Sequence, residues 1–417
     1  MKSVRQRAQA VKDTVLTFLK WILLASLTGA AGGLVGSLFH LSVGTVTALR
    51  HANGWLLWLL PAGGVLIVLL YRLFRTENKS TNTIIESIQS GEKVPIALLP
   101  TIFLSTVITH LFGGSAGREG AALQIGGSLG NFAGRVFRLN DKDVRIATLA
   151  GMSAVFSALF GTPLTAAVFA LEVISVGVIH YAAFVPCLTA ALVAVGISRL
   201  FGIAGEHFLL ADVPLQWLMF LKVAGLSVLC ALLSIAFCLA MHGTEHFLKK
   251  FLKNDFVRVL AGGALIVGLT LLLGTGEFNG AGMESIKEAV ENGFARPDAF
   301  FWKLLFTAIT LGAGFKGGEV VPCFFIGATF GCTVGALLGI PPGFAAAIGL
   351  VCMFCGSVNC PIASILLAME LFGSGSVVYF ALSCAIAYML SGYFGLYSSQ
   401  EFIFSKLSSE MINRKAE

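Results

Sequence analysis

The feature that most constrains this chain is where its charges are missing. Stretches with no Asp, Glu, Lys or Arg run Trp21–Leu49, Val94–Gly117, Ile146–Leu171, Val173–Ser198, Val320–Met369 and Leu371–Gln400. A helix needs about 20 apolar residues to span a bilayer, so each run is long enough. The 50-residue run from Val320 exceeds one helix and must form at least two spans, or several short ones broken at Gly331, Gly335, Pro341–Pro342 and Gly356. Only 12 % of the 417 residues are charged and 56 % are hydrophobic, whereas an ordinary soluble domain is about a quarter charged. The expected fold class is an all-α polytopic membrane protein.

The remaining charges sit in flanks and loops. Lys2, Arg5, Arg7, Lys12 and Lys20 are spread ahead of the first apolar run with no small-residue cleavage site, so segment 1–20 reads as a basic, amphipathic cytoplasmic helix, not a signal peptide. Lys249, Lys250, Lys253 and Arg258 form a basic loop expected in the cytoplasm, and Gly205–Asp212, with Glu206 and Asp212, is expected outside. Both termini then face the cytoplasm of a cell-membrane protein. The net charge of +6 fits this bias and implies no nucleic-acid partner. All nine cysteines lie in apolar stretches as small hydrophobes, and Cys352 and Cys355 lack a second pair, so neither metal nor cofactor is expected. The six Asp residues lie in polar loops or flanks, and neither HExxH nor a P-loop is present, which argues against an intramembrane protease or an ATP-driven pump.

An internal repeat sets the organisation. Gly161–Glu172 recurs as Asn359–Glu370, with Pro163 and Glu172 answered by Pro361 and Glu370, and Leu123–Gly130 recurs as Phe324–Gly331, at offsets of 198 and 201 residues. Two such halves, each with a Gly-rich segment leading into an apolar helix, are the sequence signature of inverted-repeat transporters. The expected division is a first half at 21–204, a second, inverted half at 214–401, and a short cytoplasmic tail at 402–417 with no regulatory domain. A cation-coupled organic-solute transporter would share this signature.

Helix N-termini carry unpaired N–H groups and the positive end of the dipole, so they bind an anion without a full charge. Gly113–Gly120 and Gly312–Pro322 are both Gly-rich turns opening apolar helices. Glu119 stands at the first of them beside Arg118, and an ionisable residue at membrane depth is a functional candidate. Its carboxylate would fill the place of an anion and, once protonated, vacate it. Lys316 and Glu319 are placed to pair locally at the second turn, and His110 precedes the first.

Gly117-Arg-Glu-Gly120 with its Gly-rich helix, Gly317-Gly-Glu-Val-Val-Pro322, the Pro…Glu repeats and Tyr397 together resemble the CLC family of anion channels and proton-coupled antiporters, over nearly the whole chain. The resemblance implies two inverted halves of tilted, discontinuous helices, assembled as a homodimer in the lipid bilayer with one pore per subunit. It makes Glu119 the gate and the proton-coupling residue. It assigns anion binding to Gly117, Arg118, Gly120, the amides of Val320 and Val321, and Tyr397, with Asn82, Glu172, Val173 and Glu319 in support. The first family motif reads Lys79-Ser-Thr-Asn-Thr83 here, so either Ser80 or Thr81 takes the ligand position. Glu172 is retained, and the internal proton-relay position is Val173.

Thr109–Gly120, Gly314–Val320, the altered first motif and the missing second glutamate resemble the bacterial fluoride-handling branch. That implies fluoride export coupled to proton entry. A chloride channel or chloride/proton antiporter is the alternative, since Ser80 would suit chloride and Val321 stands where that branch is expected to carry a threonine.

Overall fold

The computed structural model describes residues 4–211 and 213–417, and at residues 4, 5 and 7 the backbone alone. Of the charges named above, Lys2 and Asp212 lie outside the described residues, as do the side chains of Arg5 and Arg7. The described chain forms sixteen α-helices. The first eight are α1 (Val4–Ala52), α2 (Leu60–Leu73), α3 (Thr81–Ser90), α4 (Leu98–Leu111), α5 (Glu119–Val136), α6 (Asp141–Phe160), α7 (Pro163–Glu172) and α8 (Phe184–Leu200). The next eight are α9 (Trp217–Phe251), α10 (Asp255–Leu273), α11 (Met283–Glu291), α12 (Ala299–Ala313), α13 (Val320–Leu337), α14 (Pro342–Val358), α15 (Pro361–Phe372) and α16 (Val377–Leu390). Seven helical segments are long and apolar enough to cross a membrane. Others cannot do so alone: α7 has 10 residues and α15 has 12, which rise about 15–18 Å against a hydrocarbon core of about 30 Å.

Residues 4–20 of the expected N-terminal segment are not a separate element, because they form the start of α1, one helix of 49 residues. Lys20 ties it to the first turn of α6 through Asp143, 2.6 Å away. The expected basic loop is also redistributed. Lys249 and Lys250 fall in the last turn of α9, where cations complement the helix dipole. Arg258 is buried in α10, bonded to Asp255 at 2.6 Å and to the carbonyl of Ala313 at 3.2 Å.

The long uncharged run from Val320 becomes α13, α14 and α15, interrupted around Gly339–Pro341 and at Asn359–Cys360. Gly331, Gly335 and Gly356 do not break helices as expected. A break within hydrocarbon would leave backbone groups unpaired. These glycines instead let helices approach closely: a Cβ on Gly331 would strike the carbonyl of Ala345, and one on Gly356 would strike Ser234. The same contact appears twice, with Gly126 and Gly130 of α5 against Gly151 of α6, and Gly327 and Gly331 of α13 against Gly349 of α14. With their neighbours on all sides, α6 and α14 are the most enclosed helices, buried almost throughout from Val144 and Phe344 onward.

Reciprocal contacts relate the halves. The Glu172 carboxylate at the end of α7 accepts from the N–H groups of Ile362 and Ala363 at the start of α15, at 3.2 and 2.8 Å. Glu370 at the end of α15 accepts from Leu164 and Thr165 at the start of α7, both at 2.9 Å. Each short helix is thus capped by the other's glutamate. Such i-to-j and j-to-i pairing is what a pseudo-two-fold axis produces.

One part departs from a purely helical expectation. Strands β1 (Ser175–Val176), β2 (Glu401–Phe404) and β3 (Met411–Lys415) form a sheet in the order β1-β2-β3, with β1 parallel to β2 and β3 antiparallel to it. Lys406 fastens this sheet to the helices through Asn359 Oδ1 at 2.5 Å and the carbonyl of Tyr388 at 2.8 Å.

Candidate functional site

The starts of α5 and α13 meet head to head. Gly117 donates its N–H to the carbonyl of Gly318 and accepts from the N–H of Gly318, both at 2.7 Å. The 201-residue repeat offset places these two glycines on one another. The turns behind them are cross-braced in the same symmetric way: the Ser115 N–H donates to Thr310 Oγ1 of α12 at 3.1 Å, and the Lys316 N–H to Thr109 Oγ1 of α4 at 3.3 Å. Close approach requires glycine here, since a Cβ on Gly318 would lie 2.5 Å from the Gly120 nitrogen and 2.7 Å from that of Glu119.

Glu119 opens α5 and is 1 % exposed. Its carboxylate curls back so that Oε2 accepts from the backbone N–H of Arg118 at 2.8 Å. The side chain thereby satisfies the orphan donor at its own helix start, where the dipole favours negative charge. The Arg118 guanidinium lies 3.6 Å from Glu119 Oε1 and 3.5 Å from Glu206 Oε1. The carboxylate is buried and the guanidinium half-buried on the wall of a cavity.

Two cavities flank this point. One, of about 700 Å³, is lined by Arg118, Glu119 and Glu206 together with Arg50, His40 and His110. The other, of about 360 Å³, is lined by Ser80, Thr81, Gln124, Lys316, Glu319 and Tyr397 among others. Tyr397 is 2 % exposed and its hydroxyl has no hydrogen-bond partner. A buried hydroxyl without a partner is costly unless a ligand or water completes it.

The first-motif alternatives are separated by burial. Ser80 is exposed on the second cavity, whereas Thr81 is buried, with its Oγ1 accepting from Gln124 Nε2 at 3.1 Å and donating to the carbonyl of Gly120 at 3.5 Å. Asn82 braces the segment after Tyr397, donating to Ser398 Oγ at 3.0 Å and accepting from the Ser399 N–H at 3.2 Å. Val320 and Val321 are buried at the first turn of α13, where backbone N–H groups lack helical partners.

Glu172 and Val173 are not part of this group. Glu172 is engaged in the cap of α15, and Val173 is buried with its carbonyl accepting from Gln400 Nε2 at 3.1 Å. Lys316 does not pair with Glu319: its ammonium lies 4.7 Å from the centre of the Tyr71 ring. Glu319 is instead a second carboxylate at the junction, with Oε2 buried and without a partner, and a Cβ on Gly120 would stand 2.6 Å from it. Glu119 is therefore not the only ionisable group at the meeting point. The sequence places Glu319 only in support, through the family resemblance and as a local partner for Lys316.

A family profile described as voltage gated chloride channel matches residues 63–392. The chain is a CLC protein. Its relatives include the chloride/fluoride channel protein of Pseudomonas syringae pv. tomato, 38 % identical over 94 % of this chain and 89 % of that one. The H(+)/Cl(-) exchange transporter ClcA of Vibrio cholerae is 26 % identical, over 87 % of this chain and 86 % of that one. Among solved structures, a CLC-type fluoride/proton antiporter superposes with a TM-score of 0.89 at 30 % identity, covering 92 % of this CLC protein and 98 % of its own chain. The CLC fold thus accounts for the paired helix starts, and the membrane is its setting.

Proposed function

We propose that this CLC protein exports fluoride in exchange for protons, with Glu119 as the gate. The observation that carries this reading is the Glu119 carboxylate seated on the backbone N–H of its own helix start, at 2.8 Å. A carboxylate there excludes a halide, and a protonated carboxyl loses its hold on the donor and yields the place. One position with two alternative occupants, exchanged by a proton, couples the two fluxes. The anion on the other side of the junction would meet the Tyr397 hydroxyl and the N–H groups of Val320 and Val321, with Ser80 and Thr81 on the cavity wall. Several partial charges hold an anion without trapping it, as a fixed Lys or Arg would.

In this reading Glu119 faces outside and Glu319 takes protons onward toward the Tyr397 cavity, since Val173 offers no titratable group. Both termini lie in the cytoplasm, and the protein works as a homodimer in the cell membrane with one pore per subunit. The named activities of the 38 % relative and of the structure at TM-score 0.89 support fluoride. Chloride transport is favoured by two features, the exposed Ser80 on the second cavity and the apolar Val321 at the start of α13.

Fluoride or chloride efflux from proteoliposomes, with external pH recorded, tests the proposal. Fluoride efflux with proton uptake is expected, and Glu119→Gln abolishes the proton movement. Rapid chloride flux without proton movement would establish the channel alternative, and proton movement persisting in Glu119→Gln would refute the gate.

A further inference from the structure

The loop between the two halves brings a carboxylate to the gate. Glu206 is held there by backbone bonds on both sides: its N–H donates to the carbonyl of Phe160 at 3.0 Å, and the Phe208 N–H donates to that of Leu371 at 2.9 Å. Next to it, His207 Nδ1 is bound to the carbonyl of Glu370 at 2.9 Å. The side chain of Glu206 is 31 % exposed on the 700 Å³ cavity. Arg118 lies at matching distances from the gate and from this residue, 3.6 Å from Glu119 and 3.5 Å from Glu206, while being only 14 % exposed itself.

We infer that Glu206 is a positioning residue that competes with Glu119 for Arg118 and thereby sets the proton affinity of the gate. The inference rests on the gate reading of Glu119. One guanidinium shared by two carboxylates stabilises either less than it would stabilise one alone. While Glu206 is charged it draws Arg118 away and adds its own repulsion, so Glu119 takes a proton more readily. Once Glu119 is protonated, Arg118 is left to Glu206, which holds the guanidinium off the vacated position. The other charged or titratable groups on this cavity are His40, Arg50 and His51 on α1, His110 on α4, and Glu277 and Glu284 beside and within α11, and across the junction Glu319 faces the gate from the start of α13. Among the described residues, Glu119 and Glu206 are the carboxylates within ion-pair distance of Arg118.

Glu206→Gln keeps the side-chain shape and the bond to Phe160. Infrared titration of the protonated-carboxyl band in the purified protein, assigned by its loss in Glu119→Gln, reads the gate directly and needs no transport. The midpoint in Glu206→Gln is expected about half a pH unit to one unit more acidic than in the wild type. Glu206→Asp, which keeps the charge with shorter reach, is expected between the two. An unchanged midpoint in Glu206→Gln would overturn the inference. Anion and proton fluxes of the wild type in proteoliposomes decide the transport reading separately, so failure of one is distinguishable from failure of the other.

Discussion

At the residue scale, the junction shows how little separates a buried carboxylate from an apolar side chain in a repeated architecture. The 201-residue offset maps Gly117 onto Gly318, Arg118 onto Glu319 and Glu119 onto Val320. The scaffold is symmetric while its charges are not, and the proposed gate falls at a position where the copies differ. Gly318 tests the scaffold. A methyl group there would press on the nitrogens of Glu119 and Gly120, which are backbone and cannot rotate aside. Gly318→Ala is expected to lower stability by about 1–3 kcal/mol, read as a lower unfolding temperature in detergent, together with loss of anion flux. Wild-type stability and flux in that variant would mean that the two helix starts are not held together. Glu119 can be singled out in the sequence because it follows a long uncharged stretch at a Gly-rich turn, whereas Tyr397 is named only through the family resemblance. Glu319 is named only in support, since Lys316 nearby offers a plausible partner and only the fold sends that ammonium to the Tyr71 ring instead.

At the scale of elements, two helices too short to cross the bilayer are made stable by each other. The first-turn N–H groups of α7 and α15 have no helical acceptors, and each finds a carboxylate on the opposite half. Glu370→Ala is expected to cost about 1–2 kcal/mol, the usual value of a lost cap, and Glu370→Gln less because its amide oxygen still accepts. Thermal unfolding of the two variants in detergent checks this, and equal stability of Glu370→Ala and wild type would show that the cap contributes nothing. The Pro…Glu spacing made both helices readable in the sequence, because proline suits a helix start and the glutamates recur at a fixed distance from it. The breaks inside the Val320–Met369 run were harder to place. Glycine alone does not distinguish a helix end from a tight contact, and the decision comes from the neighbouring helix, as at Gly331 and Ala345. The tail strands were invisible for a similar reason: β1 is two residues long and exists only because β2 returns to it from the far end of the chain.

At the scale of the whole molecule, the charge asymmetry of the loops predicts an orientation that can be measured. The nine native cysteines are all buried, so single cysteines introduced at exposed sites report their own side of the membrane. With a membrane-impermeant thiol reagent, His207→Cys is expected to label from outside intact cells and Ser408→Cys only after the cells are opened. The opposite pattern would invert the assignment of the two cavities. The paired glycines carry a consequence for motion. The reciprocal bonds between Gly117 and Gly318 join the halves beside the proposed gate. Rocking one half away from the other, as many inverted-repeat carriers do, would break both bonds and oblige the N–H and carbonyl groups of both glycines to find new partners. In the proposed exchange these bonds favour turnover by side chains moving within a nearly stationary frame, and anion flux in proteoliposomes is expected to persist when the two halves are crosslinked elsewhere.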